Sequence, residues 1–120
     1  MNDEKVYKMS FSKVYNALVQ KAVRKGRSED EVQEVICWLT GYTKEKVAYM
    51  EKSEMEYGAF FQEAPNLNPN RKMIKGVICG VRVEEMDPSL MQEIRYLDKL
   101  IDELAKGKSM KKILRSEAQE

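Results

Sequence analysis

The side chains available for chemistry are carboxylates, lysines, arginines, tyrosines and two thiols, because the 120 residues contain no histidine. Mechanisms that need an imidazole are therefore closed: Ser-His-Asp and Cys-His nucleophiles, a histidine general base and histidine metal ligation. Glu84 and Glu85 are neighbours in VRVEEM. On a helix, adjacent residues point about 100° apart, so the two cannot face each other as an acid/base pair. They read instead as an acidic end that pairs with Arg82 or with water. Cys37 and Cys79 sit in the apolar runs VICWL and VICGV, not in a CxxC pair. They read as reduced, packed thiols, with Cys79 the more open to reaction because Gly76 and Gly80 lie beside it. GxGxxG, GxxxxGK[ST], DxDxDG and GxSxG are all absent. No catalytic residue, no cofactor and no metal site is assigned, and an enzyme is not the favoured reading.

Binding is the better-supported class. Trp38 and Tyr42 lie four apart in WLTGY, and aromatic residues with a polar tip are enriched at contact surfaces. With Arg82 and the asparagines Asn66 and Asn68 of PNLNPN they form a candidate pocket wall. The plainer alternative makes Trp38 a core residue. Residues 33–52 also fit a helix-turn-helix template, with Cys37, Gly41 and Val47 in the three diagnostic places and Met50 facing inward. In that reading Lys44 and Lys46 contact DNA. However, Glu45 and Glu51 neutralise the second helix, and Glu29, Asp30, Glu31 and Glu34 on the first would face the same polyanion, whereas phosphate contacts from lysine and arginine carry most DNA affinity. DNA binding is the alternative.

Total charge conceals local charge. The formal net of +1 comes from 21 basic and 20 acidic side chains. Residues 1–27 hold seven basic and two acidic groups, a net of +5; residues 28–70 hold three and nine, a net of −6; residues 71–120 hold eleven and nine, a net of +2. Such segregation suits a basic helix laid near an acidic region, or two patches that meet a protein partner or a second copy.

The elements that must position these residues are mostly helical. Val14 and Leu18, with Phe11, Tyr15 and Ala22, put an apolar side on a helix over 12–25, capped by Ser10 or Ser12 and stopped at Gly26. Ser28-Glu29-Asp30-Glu31 is a capping box before Val32, Val35, Ile36 and Leu39, and Gly41 is the stop. Thr43 caps a short helix to about Glu51. Ser53-Glu54-Met55-Glu56 reads as a second capping box, opening a helix that carries Tyr57, Phe60 and Phe61 and ends at Pro65. Residues 65–70, PNLNPN, form a loop. For 71–86 a helix is favoured, since Asn68-Pro69 offers a cap and an N1 proline and Ile74, Ile78 and Val81 keep helical spacing. The β-branched content leaves open a short β element over 74–84, or at 6–9 as its partner. Asp87-Pro88 opens a helix of about 20 residues, with Leu90, Ile94, Leu97, Ile101 and Leu104 spaced 4, 3, 4, 3 and Gly107 as the stop. Ser109 caps a last short helix. The expected fold is a mostly α, single-domain bundle of six or seven helices over residues 1–120, with 1–4 and 116–120 fraying.

Neither a signal-peptide pattern nor about 18 consecutive apolar residues occurs, so the expected setting is the cytoplasm with no membrane partner. WLTGY, FFQEAPNLNPN, GVICGVRVEEM and IRYLDKLIDELAKGK together give the chain a further identity. It resembles, from KVYKMSF to KKILR, the uncharacterised bacterial family known as domain of unknown function 2200. The resemblance implies a compact bacterial cytoplasmic domain and carries no activity, substrate or site residue with it. The reading is a protein-interaction or self-associating binding module, a homo-oligomer or a partner complex, working through the charged faces or through an apolar remainder of the 87–106 helix.

Overall fold

The computed structural model describes residues 3–115. Along these residues run α1 (Asp3–Tyr7), α2 (Phe11–Arg24), α3 (Glu29–Thr40), α4 (Lys44–Glu51) and α5 (Tyr57–Gln62), then a hairpin of β1 (Val77–Ile78) and β2 (Val81–Arg82), and finally α6 (Leu90–Ala105) and α7 (Met110–Leu114). Short 3-10 helices, Pro69–Met73 and Val83–Glu85, flank the hairpin. The mostly α reading holds. Of the ends expected to fray, 1–2 and 116–120 lie outside the described residues, whereas Asp3 and Glu4 open α1.

Local chemistry sets most boundaries. Ser10, Ser28, Thr43 and Ser109 each accept a backbone N–H three residues on, which satisfies a donor that the first helical turn leaves unpaired. At Ser28 the box closes in both directions, with the Ser28 N–H donating to Glu31 Oε1 at 2.9 Å. Gly41 ends α3 in the left-handed region, φ +85°, and its N–H donates to the Cys37 carbonyl at 2.9 Å.

The core forms around α6. Met91, Ile94, Tyr96, Leu97, Leu100, Ile101 and Leu104 are all buried, packed against α2, α3, α5, α7 and the hairpin segment. Each fully buried aliphatic side chain contributes about 1.5–3 kcal/mol. Most of the stripe read in the sequence is thus consumed inside the fold, with Leu90 at its start only partly buried. A second nucleus is aromatic: Phe11 stacks on Phe60 with ring centres 4.1 Å apart, Phe61 meets Phe60 edge-on at 5.4 Å, and Tyr42 closes on Phe60 at 4.8 Å. Backbone bonds from Phe11 to Met55 and from Tyr57 to Met9 tie the α1–α2 junction to the start of α5, with an antiparallel bridge between Ser10 and Glu56.

Three expectations change. The helix favoured over 71–86 does not form. Gly76, Cys79 and Gly80 have φ of +122°, +52° and +82°, and left-handed residues this close together interrupt any right-handed helix. Cys79-Gly80 instead makes a two-residue hairpin turn with both central φ positive, pairing Ile78 with Val81 and Val77 with Arg82. The open β alternative over 74–84 is the one realised, while the first part of 6–9 ends α1. The second change is at α5, which starts at Tyr57 after a Glu56 that makes no side-chain cap. Ser53 spends its hydroxyl on the Met50 carbonyl at 2.7 Å and closes α4 instead. Third, α6 is 16 residues long and is capped by Ser89, not Asp87; the Pro88 ring precedes the cap.

Candidate binding site

The end of α3, α4 and the start of the 65–70 loop enclose a cleft of about 600 Å³. Thr43 fixes where α4 begins, and α4 buries Val47 and Met50 while turning Lys46 and Tyr49 outward. Among the described residues, Tyr49 is the most exposed large hydrophobic side chain, at 67%. The Lys46 ammonium stands 5.3 Å from the centre of its ring, within cation–π range. Tyr42, Met50, Ser53 and Met55 line the interior of the cleft, with Glu63 and Pro65 opposite.

Tyr42 is a fixed part of that lining. Its hydroxyl donates to the Phe60 carbonyl at 2.7 Å, and its own N–H donates to Thr40 Oγ1 at 3.3 Å. Burial first, and then the Glu63 charge, push the phenol up to about 12, so it stays a neutral donor throughout the physiological range. The cleft therefore offers a rigid neutral aromatic, two thioethers, and one charge of each sign at its edges, Lys46 and Glu63. Such a lining is mixed in polarity, with apolar, aromatic and charged groups side by side.

The other candidates take different places. Asn66 and Asn68 staple the loop onto α3 through their backbone N–H groups, which donate to the Thr40 and Leu39 carbonyls at 3.1 and 3.0 Å. The Asn68 side chain also caps the 3-10 helix at Asn70. Trp38 is half-buried against the core. Arg82 lies on the hairpin, meets Glu84 at 3.4 Å, and does not line the cleft. Glu84 also accepts the Gly76 N–H at 2.9 Å; that backbone bond, with Arg82 adding to it, lowers its carboxyl below the usual range. The fold thus brings Tyr42 and Lys46 to one cleft and sets Asn66 against its Gly41 edge, with Trp38, Asn68 and Arg82 elsewhere. The sequence reading passed over Tyr49 and Glu63. Tyr49 could have been found from its i,i+3 spacing to Lys46 on the polar side of a helix whose other side holds Val47 and Met50.

Lys44 and Lys46 are both exposed on α4, which packs on α3 across the Gly41 turn. The thiol of Cys37 is pushed up by burial, then pulled down by Lys44 and up by Glu34. Among the described residues, no group of three or more His, Cys, Asp or Glu side chains could hold a metal ion, and no helix is long and apolar enough to cross a membrane.

The architecture recurs in a solved structure. The crystal structure of uncharacterized protein SP1917 superposes with a TM-score of 0.90 at 49% sequence identity, over 96% of this chain and 93% of that one. Among curated proteins none matches. The profile of the uncharacterized proteins conserved in bacteria, DUF2200, matches residues 5–115, from the middle of α1 to the end of α7, and so takes in both the α4 cleft and the core that supports it. By that match the chain belongs to the DUF2200 family.

Proposed function

We propose that this protein is a cytoplasmic interaction module whose α4 cleft receives a side chain of another polypeptide, a second copy included. The observation that carries the reading is Tyr49, a large aromatic left two-thirds exposed beside a cleft of about 600 Å³. Aromatic anchors next to pockets supply much of the energy of protein contacts. The cytoplasmic setting rests on Cys37 and Cys79, both free thiols, as in a reducing compartment.

A ¹⁵N-labelled dilution series tests the second-copy form: Thr43, Lys46, Tyr49 and Ser53 amides should move with concentration in the native chain and stand still in Tyr49→Ala. An invariant native spectrum removes the second copy. A photo-crosslinking residue at Tyr49, used in bacterial extract with Val23 as the control position, then tests a different chain. Equal labelling at both positions would remove the reading altogether.

A helix-turn-helix reading is the second. What supports it is the packing of α3 on α4 across a left-handed Gly41, with Lys44 and Lys46 both outward. It requires retardation of duplex DNA that falls steeply with salt and disappears when Lys44→Glu is combined with Lys46→Glu.

A further inference from the structure

We propose that the cleft between the 75–76 segment, the second half of α6 and the start of α7 is a binding site for an anion carrying two or more phosphate groups. The cleft holds about 540 Å³, and five of the nine described residues that line it are lysines: Lys75, Lys99, Lys106, Lys108 and Lys112. Two carboxylates, Asp102 and Glu103, face them, which leaves a local excess of three positive charges.

Those carboxylates are already occupied. Asp102 receives Lys106 at 3.1 Å, Lys21 at 3.6 Å and Lys99 at 3.9 Å. Glu103, itself buried, takes Arg115 at 2.8 Å and Lys108 at 3.6 Å. The acids thus hold several ammoniums in one place while neutralising only two of the positive charges. Lys75 and Lys112 reach the cleft from different elements, and among the described residues neither side chain has an ion-pair partner. Concentrated like charge at a concave surface raises the local potential for a multivalent counterion.

The cleft is also shaped by the fold. The Lys99 stem lies under Gly76, where a Cβ would come within 2.7 Å of its Cε, and its ammonium donates to the Val77 carbonyl at 3.4 Å. Arg27, far away in sequence, clamps the opposite side by donating to the Leu104 and Lys108 carbonyls. The basic N-terminal segment and the basic C-terminal segment therefore meet at this end of the molecule. Among the described residues, no apolar or aromatic side chain lines the cleft, so none of them would stack a nucleobase or house an acyl chain. The chemistry selects the phosphate groups themselves, for which lysine is a point-charge ligand with three donors.

The test is a titration of the full chain with inorganic pyrophosphate, read by ¹⁵N amide shifts at Gly107, Lys108 and Ser109 and by melting temperature, with sulfate at matched ionic strength alongside. Pyrophosphate should saturate and sulfate should not. Lys75→Gln combined with Lys112→Gln should weaken pyrophosphate about tenfold or more, whereas Lys13→Gln combined with Lys52→Gln, an equal change in net charge at other surfaces, should leave it unchanged. Both pairs are exposed, so circular dichroism should show each variant folded. Equal affinity in the two double variants, a sulfate response that matches pyrophosphate, or shifts that never saturate would each overturn the assignment.

Discussion

The Arg27 guanidinium donates to the Leu104 carbonyl at 3.1 Å, joining the turn between α2 and α3 to the end of α6 across 77 positions of chain. The same guanidinium reaches the Lys108 carbonyl at 2.8 Å and grips Glu31 through two nitrogens at 3.1 and 2.9 Å. One side chain thereby satisfies two carbonyls where α6 ends and fixes the first turn of α3. Arg27→Met keeps the stem and removes every one of these donors. It should lower stability by about 2–4 kcal/mol, measured as a drop in the urea midpoint with an unchanged slope. Arg27→Lys should recover only part of this, because an ammonium cannot reproduce the planar fork.

Glu31 supplies a pH signature. The Arg27 hydrogen bond, then the Ser28 N–H, hold its carboxyl at about 2, below its ordinary 4.5. Between those two values the unfolded chain binds a proton that the folded chain does not. Stability from this group is therefore complete above about 4.5 and is lost as pH falls toward 2. Acid melts of Glu31→Gln should show a shallower decline than the native chain across that window. Identical slopes would mean the bond is too solvated to matter.

Gly41 is irreplaceable on two grounds. Its φ of +85° is left-handed, and a Cβ there would lie 2.8 Å from both Cβ and O of Asn66. Gly41→Ala should therefore cost more than the roughly 1–2 kcal/mol of left-handed strain alone, because the 65–70 loop must lift off α3. A lower melting temperature should come with faster hydrogen exchange at Asn66 and Asn68, whose N–H groups bond to α3.

Tyr42→Phe isolates one hydrogen bond. Removing the hydroxyl leaves the Phe60 carbonyl without that donor in a buried place, and the loss should be about 1–2 kcal/mol. Ring packing on Phe60 survives, so the near-ultraviolet spectrum should keep its form. A loss under a few tenths would show that α5 and the cleft are held by packing alone.

Much of this architecture is legible in local sequence. Ser28 with Glu31, Thr43 before α4, Gly41 and Gly107 as stops, and the 4, 3, 4, 3 spacing along α6 act over one or two helical turns, and the structure follows them. The same local rules misassigned 71–86, because apolar spacing there fits a helix and a hairpin alike. Three left-handed residues decide between the two, and φ is not written in hydrophobic pattern. Ser53 and Asp87 carry the right chemistry for caps, but competing partners took the first and Ser89 took the place of the second.

The sites divide in the same way. The sequence by itself determined that imidazole chemistry is absent and that charge is segregated along the chain. Only the tertiary structure decided where those charges meet. It buried most of the apolar stripe of α6 and left Tyr49 exposed. It also set Arg82 on the hairpin, away from the α4 cleft, and carried Lys75, Lys99, Lys106, Lys108 and Lys112 to one cleft. Burial, cleft formation and ion pairing depend on residues brought together from distant parts of the chain, and that convergence is fixed by how α2, α6 and α7 pack, not by any local run of residues.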